Sequence, residues 1–291
     1  MTRRTSLAAI VAVIGLVIGL LTAGAMPARA RQNYSPPPDL EAIHVPYDTL
    51  IDTNVRDGLV YYRALQQDRG RLNRYLALLA STSADEVQKW NTAGQMAFWI
   101  NAYNAFVLDT VVRHYPIRGT SKQYPANSIR QIPGAFETLK HIAGGRNLTL
   151  DQIETTVLSS YNDPRVYIAL GRGAVGSGRL RSEAYSGPHL EQQLAQLRQQ
   201  FVTSPHYVRV DQLNGKVSVS PMLSWRGPAF ITAYSDKSFD LPKRTPIEMA
   251  VVGFVRPYLV APEEEFIKKN AWQLDYLDFD WRLNDLTGGR P

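Results

Sequence analysis

The chain has 291 residues, no cysteine, 44% hydrophobic residues, and 32 Lys and Arg against 26 Asp and Glu. The lack of cysteine excludes disulfides, thiolate metal sites and a thiol nucleophile, and a chain of this length can bury a sizeable core without such staples. The basic excess is partly local: setting aside Arg3, Arg4 and Arg29 leaves 29 basic against 26 acidic residues, a balance of +3 that is too mild to specify nucleic acid.

Residues 1–30 read as a secretory signal peptide. Arg3 and Arg4 give a basic start, residues 7–21 an apolar run short for a bilayer, and Ala28-Arg29-Ala30 a small-x-small cleavage site. The mature protein is expected to begin near Arg31 and to act in the periplasm or outside the cell. The paired arginines leave export by the general or the twin-arginine route open. Residues 31–46, with Pro36-Pro37-Pro38, read as a proline-rich tether, so the folded domain is expected over 47–291.

Leu59, Tyr62, Leu65, Leu72, Leu76 and Leu79 recur at helical spacing around Gly70, which predicts a helical pair. Residues 92–114 predict a helix apolar on nearly every face, hence buried, that ends before Pro116. Within it Asn101 and Asn104 lie three apart, on one face. An unpartnered buried amide costs about 1–3 kcal/mol, so both are expected to be structural and to satisfy nearby loop amides. Residues 123–145 carry Pro125, Pro133 and Gly144-Gly145 and predict irregular chain. Thr149-Leu-Asp-Gln-Ile-Glu154 then places a capping threonine ahead of an apolar helical face.

After Asp163-Pro164, the β-branched and aromatic run 165–170 predicts a short buried strand leading into Gly171-Arg-Gly-Ala-Val-Gly-Ser-Gly178. A helix is predicted over 190–201, with Leu190, Leu194 and Leu197 on one side. A hairpin is predicted from 206–210 and 216–220 across Asn214-Gly215, a further helix over 247–255 and a closing strand over 276–281. Helices precede the hairpin without regular alternation. The expected class is therefore α+β: a helix-rich single domain with a small, largely antiparallel sheet. Beyond the leader no apolar run is long enough to span a membrane, since 96–112 is broken by Asn101, Asn104 and Asp109.

Gly171-x-Gly173-x-x-Gly176 has the spacing of a dinucleotide fingerprint. That reading fails because residues 177–187 lack a helical apolar pattern and Glu191, the acid at the right distance, falls inside a predicted helix. Two readings remain. The glycines serve tight backbone geometry, or their amides, with Arg172, Arg179 and Arg181, form an anion-binding nest.

Four ordered blocks resemble the domain of unknown function 547 family: Ala97-Phe-Trp-Ile-Asn-Ala-Tyr-Asn104, Leu148-Thr-Leu-Asp-Gln-Ile-Glu154, residues 163–170 with the glycine loop, and Tyr276-Leu-Asp-Phe-Asp-Trp-Arg-Leu-Asn284. The resemblance spans roughly 47–284 and implies a single α+β domain, often exported in bacteria. It also implies a histidine where this chain has Tyr167, cysteines where it has Arg172 and Ser177, and an acid in the pair that is Ala229-Phe230 here. Ser177 is thus the one candidate nucleophile left in the aligned positions, and a serine needs a placed base.

No histidine pair has metal-ligand spacing, and no metal or cofactor is expected. His114 suits the end of the buried helix, where the dipole favours a cation, and His189 suits the surface. Glu154 and Arg165 are expected to be structural, as a buried ion pair. The leading functional reading is a non-catalytic binding domain derived from a thiol-bearing site. It would hold a small anionic ligand or a peptide around Tyr167, Arg172, Arg179 and Arg181. The alternative is a serine-based hydrolase or acyl transferase using Ser177. An interaction module displaying aromatics such as Tyr124 and Tyr161 is the third reading.

Overall fold

The computed structural model describes residues 35–235 and 241–288. The signal peptide expected over residues 1–30 and the first part of the expected tether lie outside the described residues. From Pro36 onward the chain forms one compact unit. Its packed part starts earlier than Tyr47: Leu40 and His44 are buried, and a 3-10 turn, Ala42–His44, leads into α1, Val45–Asn54.

A two-residue hairpin, β1 (Val55–Arg56) with β2 (Leu59–Val60), is followed by α2 (Tyr62–Gln67), α3 (Gly70–Ser81) and α4 (Ala84–Lys89). The predicted helical pair is α2 and α3, broken just before Gly70. α5, Thr92–His114, has the bounds its sequence predicts. The Asn91 side chain accepts from the Gly94 N–H at its start, and Pro116 follows its last turn. Residues 96–112 of α5 are all buried, so the helix is the spine against which α2, α3 and the later helices pack.

Beyond α5 come a hairpin of β3 (His141–Ala143) and β4 (Arg146–Leu148), then α6 (Leu150–Gln152). Thr149 and Gln152 close a reciprocal capping box at the start of α6. The helix widens at once into a π-helical turn, Ile153–Val157, and tightens again over Leu158–Tyr161. Such turns are uncommon and often carry functional residues; this one carries Glu154.

The predicted strand over 165–170 is instead a short helix, α7, Arg165–Ala169. The Asp163 carboxylate accepts from the Arg165 N–H, and its carbonyl accepts from the Val166 N–H, which starts a helical turn. Residues 166–170 are buried throughout, and a short apolar run buried on all sides carries no period to separate helix from strand.

α8 (Leu190–Thr203) precedes the hairpin of β5 (Val208–Asp211) and β6 (Lys216–Val219), whose register runs from Val208 opposite Val219 to Asp211 opposite Lys216. Then come α9 (Met222–Trp225), α10 (Gly227–Tyr234), α11 (Pro246–Val255) and α12 (Ala261–Lys268). They form the crossover that lets β7, Gln273–Tyr276, lie parallel to β6. The class is a helix-rich α+β fold whose strands make three small sheets, antiparallel except at β6–β7. The closing strand ends at Tyr276, before most of the predicted 276–281. The chain beyond it clamps the glycine loop: Val175 and Gly176 donate to the carbonyls of Arg282 and Asp280 at 2.8 Å, and Ala174 bridges to Leu283. Among the described residues no helix is long and apolar enough to cross a membrane.

A buried histidine, His44, and a half-buried one, His141, give the fold a pH dependence. His44, hydrogen-bonded through Nδ1 to the Tyr75 hydroxyl at 2.9 Å, has its pKa pushed down by burial to about 3, and His141, stacked on Phe106, to about 4. The unfolded chain takes up these protons near pH 6.5, so stability is lost as pH falls from there toward 3–4. Burial raises the Asp48 carboxyl to about 6, which acts in the opposite sense between its ordinary value and pH 6. The urea midpoint is expected to be higher at pH 7 than at pH 4.5, and the difference to shrink in His44→Gln, which cannot titrate. An unchanged difference in that variant removes His44 from the account.

Candidate functional site

α5 holds the chain at the start of the glycine-rich segment and again seven residues past its end, at Tyr185. The Asn104 amide donates to the Ala169 carbonyl at 3.1 Å and accepts from the Gly171 N–H at 2.8 Å; Asn101 does the same for the Tyr185 carbonyl and N–H at 2.8 and 2.9 Å. Each side chain thus mimics a strand partner for one stretch of loop, satisfying buried peptide groups that irregular chain leaves open.

The glycines answer to backbone approach. Gly173 has φ +65°, and a Cβ on Gly176 would lie 2.6 Å from the Asp280 nitrogen. A Cβ on Gly178 would lie 1.7 Å from the Ile168 carbonyl oxygen. The amides of Gly171, Arg172, Val175, Gly176 and Ser177 donate to acceptors within the protein. The loop amides are therefore largely spent on the fold.

Arg172, Arg179 and Arg181 do not converge. Arg172 is buried: it donates to the Tyr167 carbonyl at 3.0 Å and to the Leu170 carbonyl at 3.3 Å, and its Nη2 reaches Glu154 Oε2 at 2.8 Å. Burial alone would lower its pKa, but the facing Glu154 carboxylate together with Tyr103 and Asp151 outweighs this and raises it. The other Glu154 oxygen accepts from Arg226 Nε at 3.1 Å and lies 2.9 Å from its Nη2, so the carboxylate is gripped by two guanidinium groups. Arg165, expected opposite Glu154, instead grips Asp163 and Glu191, at 2.6 and 2.7 Å. The reason is local: Asp163 is two residues away and already turns toward the Arg165 backbone. Arg179 pairs with Asp57 at 2.6 Å, and Arg181 pairs with Glu183 and reaches Gln193 and Gln196 on α8.

Two cavities flank the loop and share no lining residue. The first, about 310 Å³, is lined by Ser177, Gly178 and Arg179 of the loop, by Asp57, by Phe201 of α8, and by His206 and Tyr207 just before β5. In it the Tyr207 hydroxyl donates to the Ser177 carbonyl at 2.6 Å, and Tyr207 stacks on Phe201 with centroids 4.4 Å apart. The Ser177 hydroxyl oxygen accepts from the Arg172 N–H at 3.0 Å, and His206 Nε2 lies 3.3 Å from the Val175 carbonyl. The second, about 200 Å³, is lined by Asp151, Glu154, Arg172, Arg226, Arg130, Phe136, Trp225 and Trp281. Tyr167 is buried beside it, with the Arg226 guanidinium 5.8 Å above its ring.

Sequence reasoning missed His206, Tyr207, Arg226 and Asp151 as site residues. The only signal they carried was position, His206 and Tyr207 at the edge of a predicted strand and Asp151 in the capping sequence. Tyr124, expected to be displayed, packs edge-on against Trp281, with centroids 5.8 Å apart. Among the described residues no group of three or more His, Asp or Glu side chains sits where it could hold a metal ion.

Over residues 87–202 the chain matches the family model DUF547, described as a protein of unknown function. That segment carries α5, the π turn with Glu154, α7 and the glycine loop, while the terminal block 276–284 lies outside it. Neither the curated proteins nor the solved structures compared with the chain gave a match. The match thus covers the glycine loop and the π turn, which contribute to the walls of the two cavities, but names no reaction for them.

Proposed function

We propose that this chain is an exported, non-catalytic binding domain that takes a small anionic molecule, or the carboxylate of a peptide, in the 310 Å³ cavity beside the glycine loop. The observation that carries this reading is the state of Arg179. Its side chain is 45% exposed and its partner Asp57 85% exposed, and an exposed pair of that kind contributes about 0–1 kcal/mol. A ligand carboxylate or phosphate can take the place of Asp57 at little cost, with His206 lining the same cavity. Arg172 and Arg181, proposed alongside it from sequence, are already committed to Glu154 and Glu183. The binding reading is favoured over a serine hydrolase because the Ser177 hydroxyl is turned to the Arg172 amide and the His206 ring nitrogen to a carbonyl.

Phosphate, succinate and a free-carboxylate tripeptide are the probes. At least one is expected to raise the thermal midpoint of the wild type, by the amount that ligand linkage gives, and to leave Arg179→Ala/His206→Ala unmoved. Equal shifts in wild type and variant overturn the assignment to this cavity. A serine-reactive phosphonate that labels the wild type but not Ser177→Ala would instead establish the hydrolase. Export is checked by intact mass: a secreted product beginning near Arg31 supports it, and one retaining Met1 removes it.

A further inference from the structure

The second cavity has a different chemistry. Its charges are largely matched within the fold, since Glu154 is held by Arg172 and Arg226, and Arg130 pairs with Glu137. The exception is Asp151. Its backbone N–H is spent on the Phe136 carbonyl, while its half-buried carboxylate makes no hydrogen bond or ion pair among the described residues. Desolvation, and then the neighbouring Glu137 and Glu154, raise its pKa. An acceptor left part-buried without a donor marks a place where something else supplies one.

The facing wall is aromatic and braced. Trp281 is met by Phe136 and Tyr124 and lies under the Arg130 guanidinium at 4.9 Å. Trp225 lies nearly parallel to it at 6.2 Å and touches Phe279 at 4.8 Å, yet 39% of Trp225 stays exposed. A large indole braced by Phe279 and Trp281, with the Arg172 guanidinium 5.7 Å from its ring centroid, and still more than a third exposed is a platform for a flat, partly apolar ligand.

The class of that ligand follows by elimination. An anion would be repelled by Asp151 and would have to compete with Glu154 for guanidinium groups. A cation finds the ring faces of Phe136 and Trp281 already covered by Arg130, at 4.3 and 4.9 Å, the Arg172 guanidinium 5.7 Å from the Trp225 ring centroid, and three guanidinium groups against two carboxylates in the lining. A wholly apolar molecule would desolvate Asp151 without giving it a donor. What fits is a neutral molecule with an apolar ring face and several hydroxyl groups, which can donate to Asp151 and accept from Arg226.

We propose that this cavity binds a neutral pyranose unit of a saccharide, with Trp225 stacking on the C–H face of the sugar and Asp151 accepting from its hydroxyl groups. The proposal does not rest on the anion site, with which it shares no residue.

The test titrates the full chain with the methyl glycosides of glucose, galactose, mannose and N-acetylglucosamine, read by tryptophan fluorescence and by saturation-transfer NMR. At least one is expected to saturate. Its affinity should fall by about tenfold or more in Trp225→Ala and in Asp151→Asn, and less in Trp225→Phe, which keeps a ring. Circular dichroism checks that each variant is folded; should Trp225→Ala fail, Asp151→Asn and Trp225→Phe carry the test. The proposal is overturned if none of the four sugars saturates, if the variants bind as the wild type does, or if only an anionic sugar such as glucuronate binds.

Discussion

Replacing Glu154 with alanine is expected to destabilise the fold by about 3–5 kcal/mol, the range for breaking a buried ion pair by removing one partner. Arg172 has only a twentieth of its side chain exposed, so without Glu154 its charge stays buried among the Tyr167 and Leu170 carbonyls and the Met222 sulfur. Arg226 is a third exposed and can turn to water, which makes Arg172 the costly member. The double variant Glu154→Leu/Arg172→Met is therefore expected to recover most of the loss, because apolar groups of similar volume can replace a buried pair at little net cost. Urea unfolding at pH 7 measures both. A Glu154→Ala loss below about 1 kcal/mol, the scale of an exposed pair, would show that the pair is solvated.

Gly178→Ala is expected to cost about 3 kcal/mol or more, at or beyond the top of the range for overpacking. The added carbon would fall 1.7 Å from the Ile168 carbonyl oxygen, and backbone cannot step aside by changing rotamer. Gly171→Ala is the control. The nearest atom there is a Leu180 side-chain carbon at 3.3 Å, so that variant is expected to stay within about 1 kcal/mol of the wild type. At this chain length each 1 kcal/mol moves the thermal midpoint by about 2–4 °C, so a scanning measurement separates the two. A tolerated Gly178→Ala would mean that the loop and α7 move apart freely, and the glycines would need another explanation.

The sequence was most readable where the physics is local. The bounds of α5 follow from an unbroken apolar surface between Asn91, whose side chain caps the first turn, and Pro116, which cannot continue the helix. The β5–β6 hairpin follows from alternation across Asn214-Gly215, and the start of α6 from the Thr149 cap. The run 165–170 reads as a strand yet folds as α7 because residues 166–170 are buried throughout, which erases the period that separates a strand from a helix. β7 was displaced because its partner is β6, more than fifty residues earlier, and parallel pairing leaves no turn signature between them.

By itself, then, the sequence determined the class of the fold, the central helix with its two asparagines, the place of the glycine loop and the absence of any thiol chemistry, because each depends on composition or on neighbours a few residues apart. Which carboxylate each arginine takes was decided only by tertiary structure. Glu154 lies 18 residues from Arg172 and 72 from Arg226, and a guanidinium will pair with whichever carboxylate folding brings within reach. Three arginines that look like one cluster in the sequence thus go to three different acids, leaving one cavity with an exposed ion pair and another with an acid unpartnered among the described residues, beside a part-exposed tryptophan.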